Sequence, residues 1–162
     1  MGVFFSGEEL IGIAVQNEVT GRDFYTTAGD KAVSQKMREL FRYLAGQEDV
    51  HRKKFLELAD SLRNSAQPGG EPVDRGDVGL YIKALTDSHL FSGEDRNIVL
   101  ASKAADEASA VDFAIGFEKD TLLFFYQLAD LVHSMHKPLV HTIINEEKEH
   151  IRKLSEVRKD LK

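Results

Sequence analysis

Residues 41–58 read FRYLAGQEDVHRKKFLEL, and residues 140–157 read VHTIINEEKEHIRKLSEV. In the first stretch apolar side chains return at Phe41, Leu44, Phe55 and Leu58. In the second they return at Val140, Ile143, Ile144, Leu154 and Val157. A period near 3.6 predicts an amphipathic helix for each. The same polar pair interrupts each stripe, Glu48 with His51 and Glu147 with His150. A spacing of three sets each Glu and its His on one helix face, so both reach the space that the stripe faces.

Two further helices supply a lone Glu each. The first starts at a capping box, Ser6 with Glu9, continues through Leu10, Ile11, Ala14, Val15 and Ala28, and is expected to stop at Gly29 and Asp30. Glu18 falls on its inner face, between Ala14, Val15 and Tyr25. The second helix runs from about Ser34 to Asn64, with Met37 and Leu62 extending its stripe, before Pro68-Gly69-Gly70 and Pro72. The third is expected from Asp106 to about His136, with Val111, Ala114, Ile115, Leu122, Phe125, Ala129 and Val132 inward. Glu118 lies among them. Pro138 suits the first turn of the fourth, which carries its stripe on to Leu161. Short links make each consecutive pair an antiparallel hairpin. The long segment Ser65–Ala105 is expected to cross the bundle, with short helices around Asp77–Thr86 and Gly93–Ala101. The fold class is therefore all-α, an antiparallel four-helix bundle with a long crossover between its second and third helices, in one domain spanning residues 1–162.

The halves repeat. Glu18 precedes Glu48 by 30 residues, and Glu118 precedes Glu147 by 29. Aromatic residues follow each lone Glu, as Phe24-Tyr25 and Phe125-Tyr126. One Glu-x-x-His in a chain this rich in Glu reads as a solvated face. Two, each led by an inward Glu at nearly one interval, point to a metal site: lone Glu on two helices, Glu-x-x-His on the other two.

Composition narrows the chemistry. With 42% hydrophobic and 30% charged residues, the balance is that of a globular chain, which argues against disorder. A net charge of −6 disfavours nucleic acid and anionic membranes, and no apolar run reaches a bilayer's ~20 residues. The start has no secretory pattern, so a cytoplasmic location is expected. Met1, Gly2 and Ser6 fit a myristoylation pattern, but the cap explains Ser6 better. Without cysteine, any metal must be held by oxygen and nitrogen. Four buried carboxylates would each cost several kcal/mol to desolvate, and two divalent cations would nearly neutralise them. Carboxylate with imidazole suits Fe or Mn, and Zn would bind without redox chemistry. Metal-free, the carboxylates should have raised pKa values and the bundle should be less stable.

At Glu18, Glu48, His51, Glu118, Glu147 and His150 the chain resembles the ferritin-like diiron superfamily, and within it the rubrerythrin-like group. The resemblance implies that Glu48 and Glu147 bridge two irons. It assigns Glu18 with His51 to one iron and Glu118 with His150 to the other. It also implies homodimerisation, which no residue pattern here demonstrates. The chain departs from the group in three places. The residues here include no cysteine, where the group usually carries a cysteine-rich rubredoxin domain, Thr121 stands where an extra carboxylate is usual, and Asp49 stands where bacterioferritin has its haem-ligating Met. Only twelve residues follow His150, little room for the fifth helix of ferritin shells.

The expected function is oxidation of Fe(II) by peroxide or dioxygen, a detoxifying role in which these six residues form the catalytic centre. Electrons would come from a separate donor protein or from Fe(II) itself. The alternatives are a diiron oxidase or oxygenase acting on an organic substrate, and a non-catalytic metal-binding bundle. His133, His136 and His141 read as a surface cluster, and Tyr25 and Tyr126 as core residues with satisfied hydroxyls.

Overall fold

The computed structural model describes residues 6–64, 76–86 and 106–161. Its elements are α1 (Gly7–Lys31), α2 (Gln35–Asn64), α3 (Gly76–Thr86), α4 (Glu107–Leu131), a 3₁₀ turn (Ser134–His136) and α5 (Lys137–Asp160). Ser6 and Glu9 close the expected capping box, at 3.1 Å and 2.6 Å.

Neighbouring helices around the bundle run antiparallel, as their pairings show, while α2 and α4 run in the same direction. Arg63 near the end of α2 meets Glu8 at the start of α1, and Arg158 near the end of α5 meets Asp112 in the first turns of α4. Across the bundle Asn17 pairs with Thr121 between α1 and α4, while Lys36 meets Asp160 between α2 and α5. Such surface ion pairs contribute little to stability, but they fix register.

The core divides into two apolar layers. One joins Leu10, Ile11 and Ala14 of α1 to Phe55 and Leu58 of α2, Phe124, Phe125 and Leu128 of α4 and Ile143 and Ile144 of α5, with Ile82 of α3 over it. The other holds Phe24, Tyr25, Phe41, Leu44, Val111, Ala114, Leu154 and Val157. Residues 17–21, 48–51, 117–121 and 147–150 lie between the layers, and there the buried polar side chains collect.

One tie was not read from the sequence. The Glu107 carboxylate accepts bonds from the amides of Val33 and Ser34, each at 2.8 Å, and from the Ser34 hydroxyl at 3.1 Å. It thereby caps the start of α2 from the first turn of α4 and joins the two hairpins at one end. Capping contacts contribute about 0.5–2 kcal/mol. Glu107→Ala is accordingly expected to lower stability by about 1 kcal/mol in chemical denaturation, a loss that Glu107→Gln partly recovers.

Two boundaries differ from the sequence reading. α1 runs past Gly29 to Lys31, with the Ala32 amide bonded to the Ala28 carbonyl. A Cβ at Gly29 would meet Cβ of Phe41 at 3.4 Å, an ordinary contact, and the helix simply continues through this residue. α4 ends at Leu131, short of His136, because Val132 turns to extended backbone and the His133 ring accepts the Met135 amide at 3.3 Å. The helix expected at Gly93–Ala101 lies outside the described residues. Among those described, no helix is long and apolar enough to cross a membrane.

Candidate metal centre

Glu18, Glu48, His51, Glu118, Glu147 and His150 are all at most 1% exposed, and they converge between the two apolar layers. They form two overlapping groups: Glu18, Glu48, His51 and Glu147 in one, Glu48, Glu118, Glu147 and His150 in the other. In each group one ligand atom per residue lies within 4.8 Å of the rest, and Glu48 and Glu147 belong to both. Helix geometry produces this. Each Glu-x-x-His pair sits on one face of α2 or α5, and the antiparallel packing of these two helices brings the two faces together.

Glu147 is the centre of the arrangement. Its Oε1 lies 2.8 Å from Nδ1 of His51 and its Oε2 lies 2.8 Å from Nδ1 of His150. The two rings face one another, 5.6 Å apart and inclined by 21°. Glu18 reaches His51 at 3.5 Å, while Glu48 and Glu118 reach His150 at 3.4 and 3.5 Å.

These contacts are close but lack hydrogen-bond geometry. Both oxygens of Glu18, Glu48 and Glu147, one of Glu118 and Nδ1 of both histidines are buried without a hydrogen-bond partner. Buried polar atoms are nearly always paired. So many orphans aimed at one small volume fit a pair of cations, with oxygen and imidazole nitrogen as the donors.

The electrostatics of the metal-free centre agree. Burial raises the pKa of Glu18, Glu48 and Glu118 well above the usual carboxylate value, and like-charged neighbours add to this. Glu147 departs from the sequence expectation. Burial pushes it up as well, but the close imidazoles of His150 and His51 and their charge outweigh burial and hold it below the ordinary value. Both imidazoles are correspondingly raised, against burial, His51 by Glu147 and His150 by Glu118, Glu147 and Glu48.

Four neighbours surround the six: Tyr25 is the core residue with a satisfied hydroxyl expected from the sequence, whereas Asn17, Glu146 and Gly21 were not singled out there. Tyr25 is fully buried and its hydroxyl donates to Glu118. Its counterpart in the second half is Phe125, since each stands seven residues after its Glu; Tyr126 is exposed, under the Lys148 ammonium. Asn17 donates to the Thr121 hydroxyl at 3.0 Å, so Thr121, at the usual place of an extra carboxylate, faces an amide. Glu146 lies 2.8 Å from Nε2 of His51 and 2.9 Å from Lys54. The fourth is Gly21: a Cβ there would lie 3.0 Å from the Phe117 ring and 3.2 Å from the Glu48 carboxylate. His133 and His141 are exposed and His136 half-buried; among the described residues they join no group of this kind, and His89 lies outside.

Gly21 leads to a measurable expectation. Alanine in a helix interior gains about 1 kcal/mol over glycine, while overpacking costs about 1–3 kcal/mol. Phe117 and Glu48 are both buried, so an added methyl would have to displace packed side chains. Gly21→Ala should therefore lower stability by up to about 2 kcal/mol in thermal melts and weaken ion binding through Glu48. Unchanged stability and affinity would show that the close approach carries no weight.

The fold recurs elsewhere. A candidate ferritin-like diiron-carboxylate protein of Thermotoga maritima superposes with a TM-score of 0.73 at 23% identity, covering 100% of both chains. A hypothetical protein of Pyrococcus furiosus superposes at 0.68 and 21% identity, over 96% of this chain and 89% of its own. Those likenesses establish the ferritin-like fold. No curated protein sequence matches the chain significantly. The rubrerythrin family model aligns with residues 9–158, which takes in all four long helices and every residue of the centre. A match of that extent settles kinship: the chain belongs to the rubrerythrin family.

Proposed function

We propose that the protein is a non-haem diiron oxidoreductase that oxidises Fe(II) with peroxide or dioxygen and so removes these oxidants in the cytoplasm. The observation that carries this reading is Glu147, with one carboxylate oxygen 2.8 Å from each of two buried imidazoles. A carboxylate so placed would bridge two ions, with Glu48 as the second bridge. Glu18 with His51 would complete one ion and Glu118 with His150 the other. Bound there, two ferrous ions would supply the two electrons that, with two protons, reduce hydrogen peroxide to two waters.

The chain's own residues prepare that chemistry. Its apolar layers exclude water on both sides of the polar band. The Tyr25 hydroxyl holds Glu118 in place. Fresh electrons would come from further Fe(II) or from a separate donor protein, and a homodimer remains part of the proposal.

The test is anaerobic Fe(II) loading of the metal-free protein, then rapid mixing with hydrogen peroxide or with oxygen under optical and Mössbauer observation. Two irons per chain, oxidised together and much faster than free iron, support the reading, and the faster oxidant identifies the substrate. Two ions bound without such oxidation would leave a non-catalytic metal-binding bundle.

A further inference from the structure

The two halves of the centre share their ligand types but differ in what stands behind the ligands. Behind His51, Nε2 meets the Glu146 carboxylate at 2.8 Å, and Lys54 holds that carboxylate at 2.9 Å. Behind His150, Nε2 is buried and has no partner. The repeat explains the difference: Glu146 precedes Glu147 as Gln47 precedes Glu48, so the repeat position that gives His51 an anion is a neutral amide in the first half of the chain.

A second difference acts in the same direction. The Tyr25 hydroxyl donates to Glu118, whereas the position equivalent to Tyr25 in the other half is Phe125, which has no hydroxyl to offer Glu18. A donated hydrogen bond draws electron density from a carboxylate and weakens it as a metal ligand. A carboxylate behind an imidazole does the reverse. It accepts the Nε2 proton, fixes the tautomer that leaves Nδ1 free for a metal, and raises the ring's basicity. Lys54 tempers the charge of Glu146 but keeps the carboxylate aimed at the ring.

We propose that the two ion positions are unequal and fill in order: the position of Glu18 and His51 first and more tightly, with Glu146 as its positioning residue, and the position of Glu118 and His150 second. The inference rests on the metal-centre reading above. It makes Glu146 and Tyr25 opposed determinants of one affinity difference, built into a site whose direct ligands are nearly symmetric.

The test is a titration of the metal-free full chain with Co(II), followed by optical absorption and calorimetry. Crystals grown at one equivalent then locate the ion by anomalous scattering. Two resolved binding steps are expected, with the single equivalent beside His51. Glu146→Ala should weaken the first step about 10–100-fold and leave the second nearly unchanged, the range found when such outer partners are removed. Glu146→Gln, which keeps an acceptor, should lie between. Gln47→Glu should tighten the second step and bring the two affinities together. Helicity of each metal-free variant, by circular dichroism, separates these effects from misfolding. Two ions bound with equal affinity, one equivalent found beside His150, or a Glu146→Ala loss confined to the second step would each overturn the order of filling and leave the metal centre standing. A chain that takes up no Co(II), Fe(II) or Mn(II) overturns both.

Discussion

Loading the metal-free protein with two divalent ions should raise its melting temperature by about 10–20 °C. At free metal 100-fold above the dissociation constant, each site adds about 2.7 kcal/mol, so two add roughly 5 kcal/mol. For a chain of this size 1 kcal/mol moves the melting temperature by about 2–4 °C. The gain is large because the ions meet carboxylates whose burial is uncompensated: Glu18, Glu48 and Glu118 all hold protons more tightly than usual in the metal-free chain.

The same loading should change how stability depends on pH. Glu18, Glu48 and Glu118 have folded-state pKa values raised above 4.5, so the folded metal-free chain binds more protons than the unfolded one. Stability from such groups is complete below pH 4.5 and is lost as pH rises through their folded values. His51 and His150 behave alike from their ordinary value of 6.5 upward. Glu147 is lowered, so its contribution is present above 4.5 and is lost on further acidification. The metal-free protein should thus be most stable under mildly acidic conditions and melt lower at pH 8 than at pH 5.5. Ions favour deprotonated ligands, so the gap between the loaded and metal-free forms should widen over that interval. Melts of both forms at the two pH values decide it. A metal-free protein that gains stability toward pH 8 would contradict the assigned protonation.

The six convergent residues were legible in the sequence because each signal is local. An i, i+3 spacing fixes Glu48 beside His51 and Glu147 beside His150, and the apolar stripe around them says which way they point. The residues that distinguish the halves were not legible, because their partners lie far along the chain. Glu146 stands in the acidic run Glu146-Glu147-Lys148-Glu149, and only the opposed register of α2 and α5 sets it against His51 and Lys54. Asn17 and Thr121 meet across α1 and α4, 104 residues apart. The aromatic repeat was readable but aligned one residue late. Counting seven from each lone Glu pairs Tyr25 with Phe125, and the exposure of Tyr126 follows. Gly29 misled for a different reason: glycine often ends a helix but does not have to, and α1 continues through it to Lys31.

Substitution of the two shared carboxylates should separate stability from binding. Glu147→Gln and Glu48→Gln should both abolish paired ion binding, seen as fewer than two Co(II) per chain, since each removes a carboxylate common to both groups. On the metal-free fold their effects should be opposite. Glu147 is the ionised member, set against both histidines, and removing one partner of a buried ion pair costs about 3–5 kcal/mol. Glu147→Gln should therefore melt lower by at least several degrees, most of all below pH 6.5, where the stranded imidazoles would otherwise be charged. Glu48 is buried among like charges that disfavour its ionisation, with Glu147 and Glu18 the nearest causes after burial itself. A neutral amide there relieves that repulsion, so Glu48→Gln should leave the metal-free melting temperature unchanged or raise it. A residue that costs the empty fold stability yet is required to hold ions is there for the ions, the usual trade between stability and activity. Equal destabilisation by the two substitutions would mean that Glu147 carries no special charge, and its assignment as the ionised bridge would fail.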